Sequence, residues 1–187
     1  MLSNLVRTPH FLAVLVLTFD AFSMRMAEFT TIWLLPEITT ELNTSIGKTG
    51  NTASYYALGV IIGTPILAIF GTTIPRQKLF TYLLLWCMVA NMATSFVTSW
   101  EQLKWVRFFC GMPHGVYLGM ASIILTHSLP AQHHGKAIGV LMAGIGMALL
   151  LIVPLTTFIG EMQNWRIIFR FVALIDLLII LLLHDLL

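Results

Sequence analysis

Three long stretches without any charged side chain constrain the fold of this chain more than any other feature. They cover residues 53–70, 79–98 and 137–160. A bilayer core about 30 Å thick requires roughly 20 helical residues, which each of these stretches approaches or exceeds. Three further stretches are apolar but carry ionisable groups, namely residues 10–35, 105–125 and 167–183. The pattern predicts an all-α polytopic membrane protein with six spans, in which residues 1–187 form a single transmembrane domain.

The composition supports a membrane environment. The chain is 58% apolar and only 10% charged, whereas a soluble domain would carry about 25% charged residues. Such an apolar surface requires a lipid bilayer as solvent. The net charge of +2 is too small to suggest a nucleic-acid partner. Cys87 and Cys110 lie inside apolar runs, and their spacing is typical of neither a metal site nor a disulfide framework.

The first predicted span allows a second interpretation. Arg7, the apolar residues 11–19 and the small residues Ala21 and Ser23 also resemble a cleavable signal peptide. Because the apolar pattern continues through Leu35 and five more predicted spans follow, we predict a membrane helix here instead.

The positive charges of the short loops favour cytoplasmic N- and C-termini. Lysines and arginines concentrate on the cytoplasmic side of membrane proteins. With the N-terminus inside, the inner segments hold four such residues and the outer segments three: Arg7, Arg76, Lys78 and Lys136 against Lys48, Lys104 and Arg166.

The first span carries three ionisable side chains, Asp20, Arg25 and Glu28. Ionisable groups in a membrane usually face a bundle interior or a watery cavity. At 100° per residue, all three can lie in one sector of the helix. One hypothesis is a carboxylate linked to protons or substrate in a polar cavity. The other is an internal Arg25–Glu28 ion pair that neutralises itself, which would weaken a proton-coupling role.

The fourth predicted span contains an arginine and a histidine within an apolar run. Arg107 and His114 are seven residues apart and therefore lie on nearly the same helix face. A guanidinium group stays charged, so Arg107 requires a carboxylate, carbonyl oxygens or an anionic ligand as its partner.

Small residues recur at helical spacing in the second and fourth spans. They are Gly59, Gly63, Gly111, Gly115 and Gly119. Such small-xxx-small steps allow a neighbouring backbone to approach closely, so we predict helix packing at these positions. Pro113 and Pro154 each remove a helix hydrogen bond, and bending is expected there.

Other polar residues have simpler interpretations. Asn91 is expected to make a helix–helix hydrogen bond, Asp176 to lie near mid-membrane and Arg170 to extend towards the interface. The loop histidines are expected to be solvated, with metal binding as a minor alternative: His127, His133 and His134. We find no convincing catalytic order, phosphate loop or cofactor motif, so we expect no catalytic residues, no metal, no cofactor and no enzyme activity.

Taken in order, several short motifs resemble one family. They lie at residues 26–29, 34–36, 54–60, 63–65, 107, 111, 113–115, 154 and 165–166. From Phe22 to Phe169 the chain resembles the N-terminal six-helix half of a bacterial major facilitator superfamily permease. The resemblance is to the drug:proton antiporter type, and within it to the arabinose and sugar efflux permeases.

This resemblance implies a function and candidate residues. It implies proton-coupled efflux of a small solute, such as arabinose or another sugar, across a bacterial inner membrane. Arg107 and Gly111 look like the arginine–glycine signature of helix four, which is associated with proton transfer. Glu28 looks like the acid in helix one of the sugar-efflux members. Arg76 and Lys78 look like the basic end of the gating loop after helix two.

The resemblance also implies a partner, because such permeases bind substrate between two six-helix halves. We therefore expect a second six-helix half or a homodimer. The alternative is a truncated remnant of a twelve-helix permease that does not transport.

Overall fold

The computed structural model describes residues 9–161 and 164–186, and these residues form helices without any β-strand. Arg7 lies outside the described residues. The α-helices are α1 (Pro9–Trp33), α2 (Leu35–Glu41), α3 (Ile46–Gly71), α4 (Arg76–Thr94), α5 (Trp100–Gly111), α6 (His114–Ser128), α7 (His134–Glu161) and α8 (Arg166–Leu186). A 3₁₀ turn, Ala131–His133, directly precedes α7.

The predicted spans correspond to these helices, although the number of crossings stays a prediction. Helices α3, α7 and α8 contain the second, fifth and sixth predicted spans, and the fourth is divided between α5 and α6. Helix α1 covers the first predicted span as far as Trp33, and α4 covers the third as far as Thr94. Three helical stretches of the described residues are long and apolar enough to cross a bilayer: Ile46–Gly71, Trp100–His127 and Ala131–Ile152.

The fourth predicted span is interrupted at Pro113, as the sequence predicts. Helix α5 ends at Gly111 and α6 begins at His114. Proline has no backbone N–H, so one helix hydrogen bond is missing at this point. Helix α7 runs without interruption through Pro154, and bending at this second proline stays a prediction.

Helix α1 is central to the bundle. It packs most extensively against α7 and α8 and makes smaller contacts with α3 and α6, while α3 packs on α5 and α4 on α8. Fully buried side chains join these helices, including Leu17, Phe80 and Tyr117. Many large apolar side chains point outwards, such as Ile61, Phe70 and Leu150. Such a surface suits contact with lipid, whereas in water it would favour association or aggregation.

The predicted glycine packing is confirmed between α3 and α5. A Cβ atom added at Gly59 would lie 3.2 Å from the Gly111 Cα and would overlap the carbonyl oxygen of Phe108. A Cβ atom at Gly111 would overlap the carbonyl oxygen of Tyr56. The two backbones therefore touch, and only glycine allows this approach. Gly63 packs on the backbone of Met112 in the same way.

On α6 the prediction is correct for Gly115 and wrong for Gly119. A Cβ atom at Gly115 would collide with the Thr64 side chain, with the Thr64 Cγ2 only 2.8 Å away. No neighbouring atom lies within 4 Å of the Cβ position at Gly119. Here α3 and α6 separate around an open groove, which Ala68 and Met120 also line.

The basic residues predicted in a gating loop lie in a helix instead. The connection ends at Pro75, and Arg76 and Lys78 occupy the first turn of α4. Proline favours this transition because its fixed φ angle suits the start of a helix. The Arg76 Nη1 atom lies 2.6 Å from Nε2 of His127, which is exposed as predicted.

Candidate functional site

A cavity of about 400 Å³ opens between α1, α3 and α6. Its polar wall brings together one acid, one arginine, one tyrosine and one histidine, and the rest of the lining is apolar. The lining residues are Arg25, Glu28, Phe29, Ile32, Ala53, Tyr56, Ala57, Val60, Ile61, His114 and Leu118.

Glu28 makes two electrostatic contacts within this cavity. Its Oε2 atom forms an ion pair with Nη1 of Arg25, one helical turn earlier on α1. The same oxygen lies 3.8 Å from Nε2 of His114 on α6. The Arg25–Glu28 pair that the sequence suggests as an alternative is therefore present, and His114 extends the contact to a second helix.

His114 is held from its other side by Tyr56. The Tyr56 hydroxyl oxygen lies 2.7 Å from Nδ1 of His114, and both side chains are buried. The cavity wall thus contains a continuous polar row that runs from Arg25 through Glu28 and His114 to Tyr56.

Arg107 lies behind the cavity wall and is fully buried. Its Nη1 and Nη2 atoms donate to the carbonyl oxygens of Ala27 at 3.1 Å and of Glu28 at 2.9 Å. Its guanidinium group also lies 4.5 Å from the ring centroid of Tyr56. Of the partners that the sequence allows, this arginine therefore uses carbonyl oxygens.

This geometry allows Arg107 to position the backbone of α1 at Glu28. A carbonyl oxygen has two lone pairs, so it can accept from a helix N–H and from an arginine together. Arg107 and His114 do face the same side of their helices, as their spacing predicts, because both contact Tyr56.

Asp20 does not line the cavity that contains Glu28. Asp20 is 1% exposed and interacts electrostatically with Asp176 on α8. Eight residues separate Asp20 from Glu28, which is about 12 Å along a helix. A similar direction on the helical wheel therefore still leaves Asp20 in a different layer of the bundle.

The expected helix–helix hydrogen bond of Asn91 is present, whereas the membrane depths of Asp176 and Arg170 stay predictions. Asn91 donates from Nδ2 to Oδ2 of Asp176 at 3.4 Å, which is a helix–helix hydrogen bond. Arg170 is exposed and lies near Ser95 and the ring of Phe96.

Tyr56 is a site residue that the sequence does not single out. It precedes Gly59 by three residues and Gly63 by seven, so it lies on the α3 face that packs against α5. That spacing is the signal by which it could have been identified. Among the described residues, no group of three or more His, Cys, Asp or Glu side chains could hold a metal ion.

An apolar helical bundle with this polar cavity in its side defines a membrane protein of the transporter class. Residues 17–185 match the family model of the Major Facilitator Superfamily, and the chain belongs to that family.

Known members of the family are similar along most of this chain. AraJ of Escherichia coli (strain K12), named as a transporter, is 30% identical over 164 residues, which is 88% of this chain and 42% of AraJ. A protein of Mannheimia succiniciproducens named as a sugar efflux transporter is 24% identical over 98% of this chain and 46% of its own length. The chain therefore spans less than half the length of these relatives.

A solved structure shows the same fold. The crystal structure of a D-xylose–proton symporter superposes with a TM-score of 0.81 at 16% sequence identity. The match covers 95% of this chain and 48% of the symporter.

Proposed function

We propose that this chain is the N-terminal half of a proton-coupled permease that exports a small polar solute, such as arabinose or another sugar. In this proposal it crosses a bacterial inner membrane six times, with both termini in the cytoplasm. The observation that carries the proposal is the Glu28 carboxylate in the cavity wall, shared between Arg25 and His114.

The cavity suits a small polar solute. Ligand pockets generally range from about 300 to 1,000 Å³, so about 400 Å³ matches the lower part of this range. Sugar hydroxyl groups can both donate and accept, and the carboxylate, the imidazole and the phenol offer them complementary partners. The names of relatives that refer to sugar efflux agree with this solute class.

The Glu28 carboxylate, which forms an ion pair with Arg25, provides a mechanism for exchange. In its ionised form it accepts hydrogen bonds from the hydroxyl groups of the solute. A proton that binds Glu28 removes this acceptor and releases the solute, and loss of the proton restores the binding site. Proton and solute therefore compete for Glu28, which is the basis of antiport. Arg107 keeps the α1 backbone in place during this exchange.

A second wall is needed to enclose the solute. Permeases of this architecture bind substrate between two six-helix halves, and the relatives are about twice as long as this chain. We propose that a second six-helix half or a second copy of the chain closes the cavity. Arg76 and Lys78, at the start of α4, would act in gating.

The proposal is tested by flux measurements in liposomes that contain the reconstituted chain. We expect a pH gradient to drive transport of radiolabelled arabinose. Glu28→Gln and Arg107→Ala should reduce this flux at least tenfold, whereas Glu101→Gln, at an exposed acid, should not change it. Equal flux in all variants would contradict coupling through Glu28. Absence of flux in every variant would indicate a chain that does not transport by itself.

A further inference from the structure

A second group of polar side chains lies in the core of the bundle, away from the Glu28 cavity. We call Asp20, Ser23, Asn91 and Asp176 the core acid cluster. They come from three helices, α1, α4 and α8, and each is at most 5% exposed. None of them lines the cavity that contains Glu28. The mechanism proposed above does not use them.

The two acids of the cluster have unequal partners. Asp176 accepts from two neutral donors, Oγ of Ser23 and Nδ2 of Asn91, each at 3.4 Å. Oδ2 of Asp20 is buried and has no hydrogen-bond partner. Oδ1 of Asn91 also has none, although the amide group of this side chain contacts the cluster. Asp176 therefore has hydrogen-bond donors that stabilise an ionised carboxylate, whereas Oδ2 of Asp20 has none.

No cation is paired with these acids in the part of the chain that the structure describes. Among those residues, no lysine, arginine or histidine forms an ion pair or hydrogen bond with either carboxylate. Two buried thiols also lie on the neighbouring helices, Cys87 on α4 and Cys110 on α5.

The other helices packed against α1, namely α2, α3, α6 and α7, do not supply the missing charge from their described residues. Helix α2 contains no basic residue, and on α3 Lys48 is exposed and lies near the ring of Trp100. On α6, His114 contacts Tyr56 and Glu28, and His127 contacts Arg76. On α7, His134 bonds to the Leu129 carbonyl oxygen and Lys136 is exposed.

Two adjacent ionised carboxylates cannot be stable in such a site. Burial without a partner is costly for a charged group, and two like charges that share a site raise the cost further. In other proteins, two neighbouring carboxyl groups keep one proton at neutral pH, so that only one negative charge remains. One proton would remove one charge and would turn the unpartnered Asp20 oxygen into a donor.

We propose that the core acid cluster is a second proton-binding site, in which the buried Asp20 carboxyl group holds one proton and Asp176 stays ionised. Ser23 connects the two residues, because its hydroxyl group lies within hydrogen-bond distance of the Asp20 carbonyl oxygen and of Oδ1 of Asp176. The site joins α1 to α8 directly and to α4 through Asn91. Release of this proton leaves two negative charges between α1 and α8, and their repulsion favours separation of these helices. The proposal does not depend on the function of Glu28, because the two sites share no side chain.

Infrared spectroscopy of the purified chain in lipid nanodiscs tests the site directly. A protonated carboxyl group has its own C=O stretching band, and isotope-labelled aspartate shifts that band if it arises from an aspartate. The sequence contains three aspartates, Asp20, Asp176 and Asp185. At neutral pH we expect one label-sensitive band in the wild type, in Glu28→Gln and in Asp185→Asn. We expect Asp20→Asn to remove it.

Several outcomes would overturn the proposal. These are the absence of a label-sensitive band in the wild type, its persistence in Asp20→Asn and its loss in Glu28→Gln. Loss of the band when sodium replaces choline in the buffer would assign the site to an alkali cation instead. If Asp20→Asn does not fold, the labelled wild type and Asp185→Asn still decide the result. Failure of sugar transport in liposomes would leave the band unaffected, so the two proposals are tested separately.

Discussion

The Tyr56 hydroxyl oxygen lies 2.7 Å from Nδ1 of His114 and joins α3 to α6 across the cavity wall. The two rings meet edge to face, with centroids 5.7 Å apart. A partner at one imidazole nitrogen fixes the orientation of the ring, so Tyr56 holds the His114 ring with Nε2 towards Glu28. The tyrosine therefore acts on the carboxylate through the histidine.

We expect Tyr56→Phe to weaken transport more than it weakens the fold. The lost hydrogen bond should lower the free energy of unfolding by about 1 kcal/mol, because the ring itself stays packed. Solute flux should fall several-fold, since His114 is no longer held beside Glu28. Flux in liposomes and thermal unfolding in detergent measure the two effects. Tyr82→Phe, at an exposed tyrosine on α4, is the matched control, and equal flux in the two variants would contradict this role.

The close contact between α3 and α5 gives a second prediction, which concerns stability. Gly59→Ala and Gly111→Ala each place a Cβ atom against backbone atoms of the facing helix. Backbone atoms cannot move aside as a flexible side chain can, so we expect a loss of about 1–3 kcal/mol in each variant. Thermal unfolding in detergent measures this loss.

Gly119→Ala is the control for this prediction. The space around Gly119 is open, and alanine favours a helix over glycine by about 1 kcal/mol. We therefore expect Gly119→Ala to be neutral or slightly stabilising. If the three glycine variants unfolded at the same temperature, close packing at Gly59 and Gly111 would be the wrong explanation for these glycines.

Much of the helical framework could be predicted because span length and charge content are local properties. The apolar runs locate the long helices, and Pro113 locates the break between α5 and α6. Helix α2 is not predicted, because proline is common in turns and Pro36 is therefore assigned to a connection. In the structure this proline lies in the first turn of α2, where its missing N–H has no cost.

The site could be predicted only in part, because its geometry depends on distances between helices. The sequence identifies Glu28 and His114, and the two do line one cavity. The sequence groups Asp20 with Glu28 because a helical wheel gives the direction of a side chain but not its position along the helix axis. Ser23 on α1 donates to Asp176 on α8, and no local pattern indicates a contact between residues so far apart in the chain.

The buried guanidinium group of Arg107 gives a third prediction. Arg107→Ala removes the hydrogen bonds from the guanidinium group to the carbonyl oxygens of Ala27 and Glu28. We expect the free energy of unfolding to fall by about 1.5–3 kcal/mol for each bond. Arg107→Lys should recover part of this loss, because an ammonium group can reach one carbonyl but lacks the planar fork. Chemical unfolding in detergent measures both, with Arg170→Ala, at an exposed arginine, as control. If the alanine variants at positions 107 and 170 were equally stable, Arg107 would not anchor α1.

The last prediction concerns Glu41, which connects α2 to α8 at one end of the bundle. Its carboxylate accepts from Nε1 of Trp165 and from Nη1 of Arg166. Trp165 is buried, and a buried indole N–H requires an acceptor, whereas an ion pair at a half-exposed acid contributes at most about 1 kcal/mol. Glu41→Gln keeps an acceptor and should therefore lose less than about 1 kcal/mol, while Glu41→Ala leaves the indole unpaired and should lose about 1–3 kcal/mol. Thermal unfolding at low and high salt measures both variants against Glu101→Ala. Equal losses in Glu41→Gln and Glu41→Ala, abolished by salt, would show that the charge of Glu41 matters and that its bond to Trp165 does not.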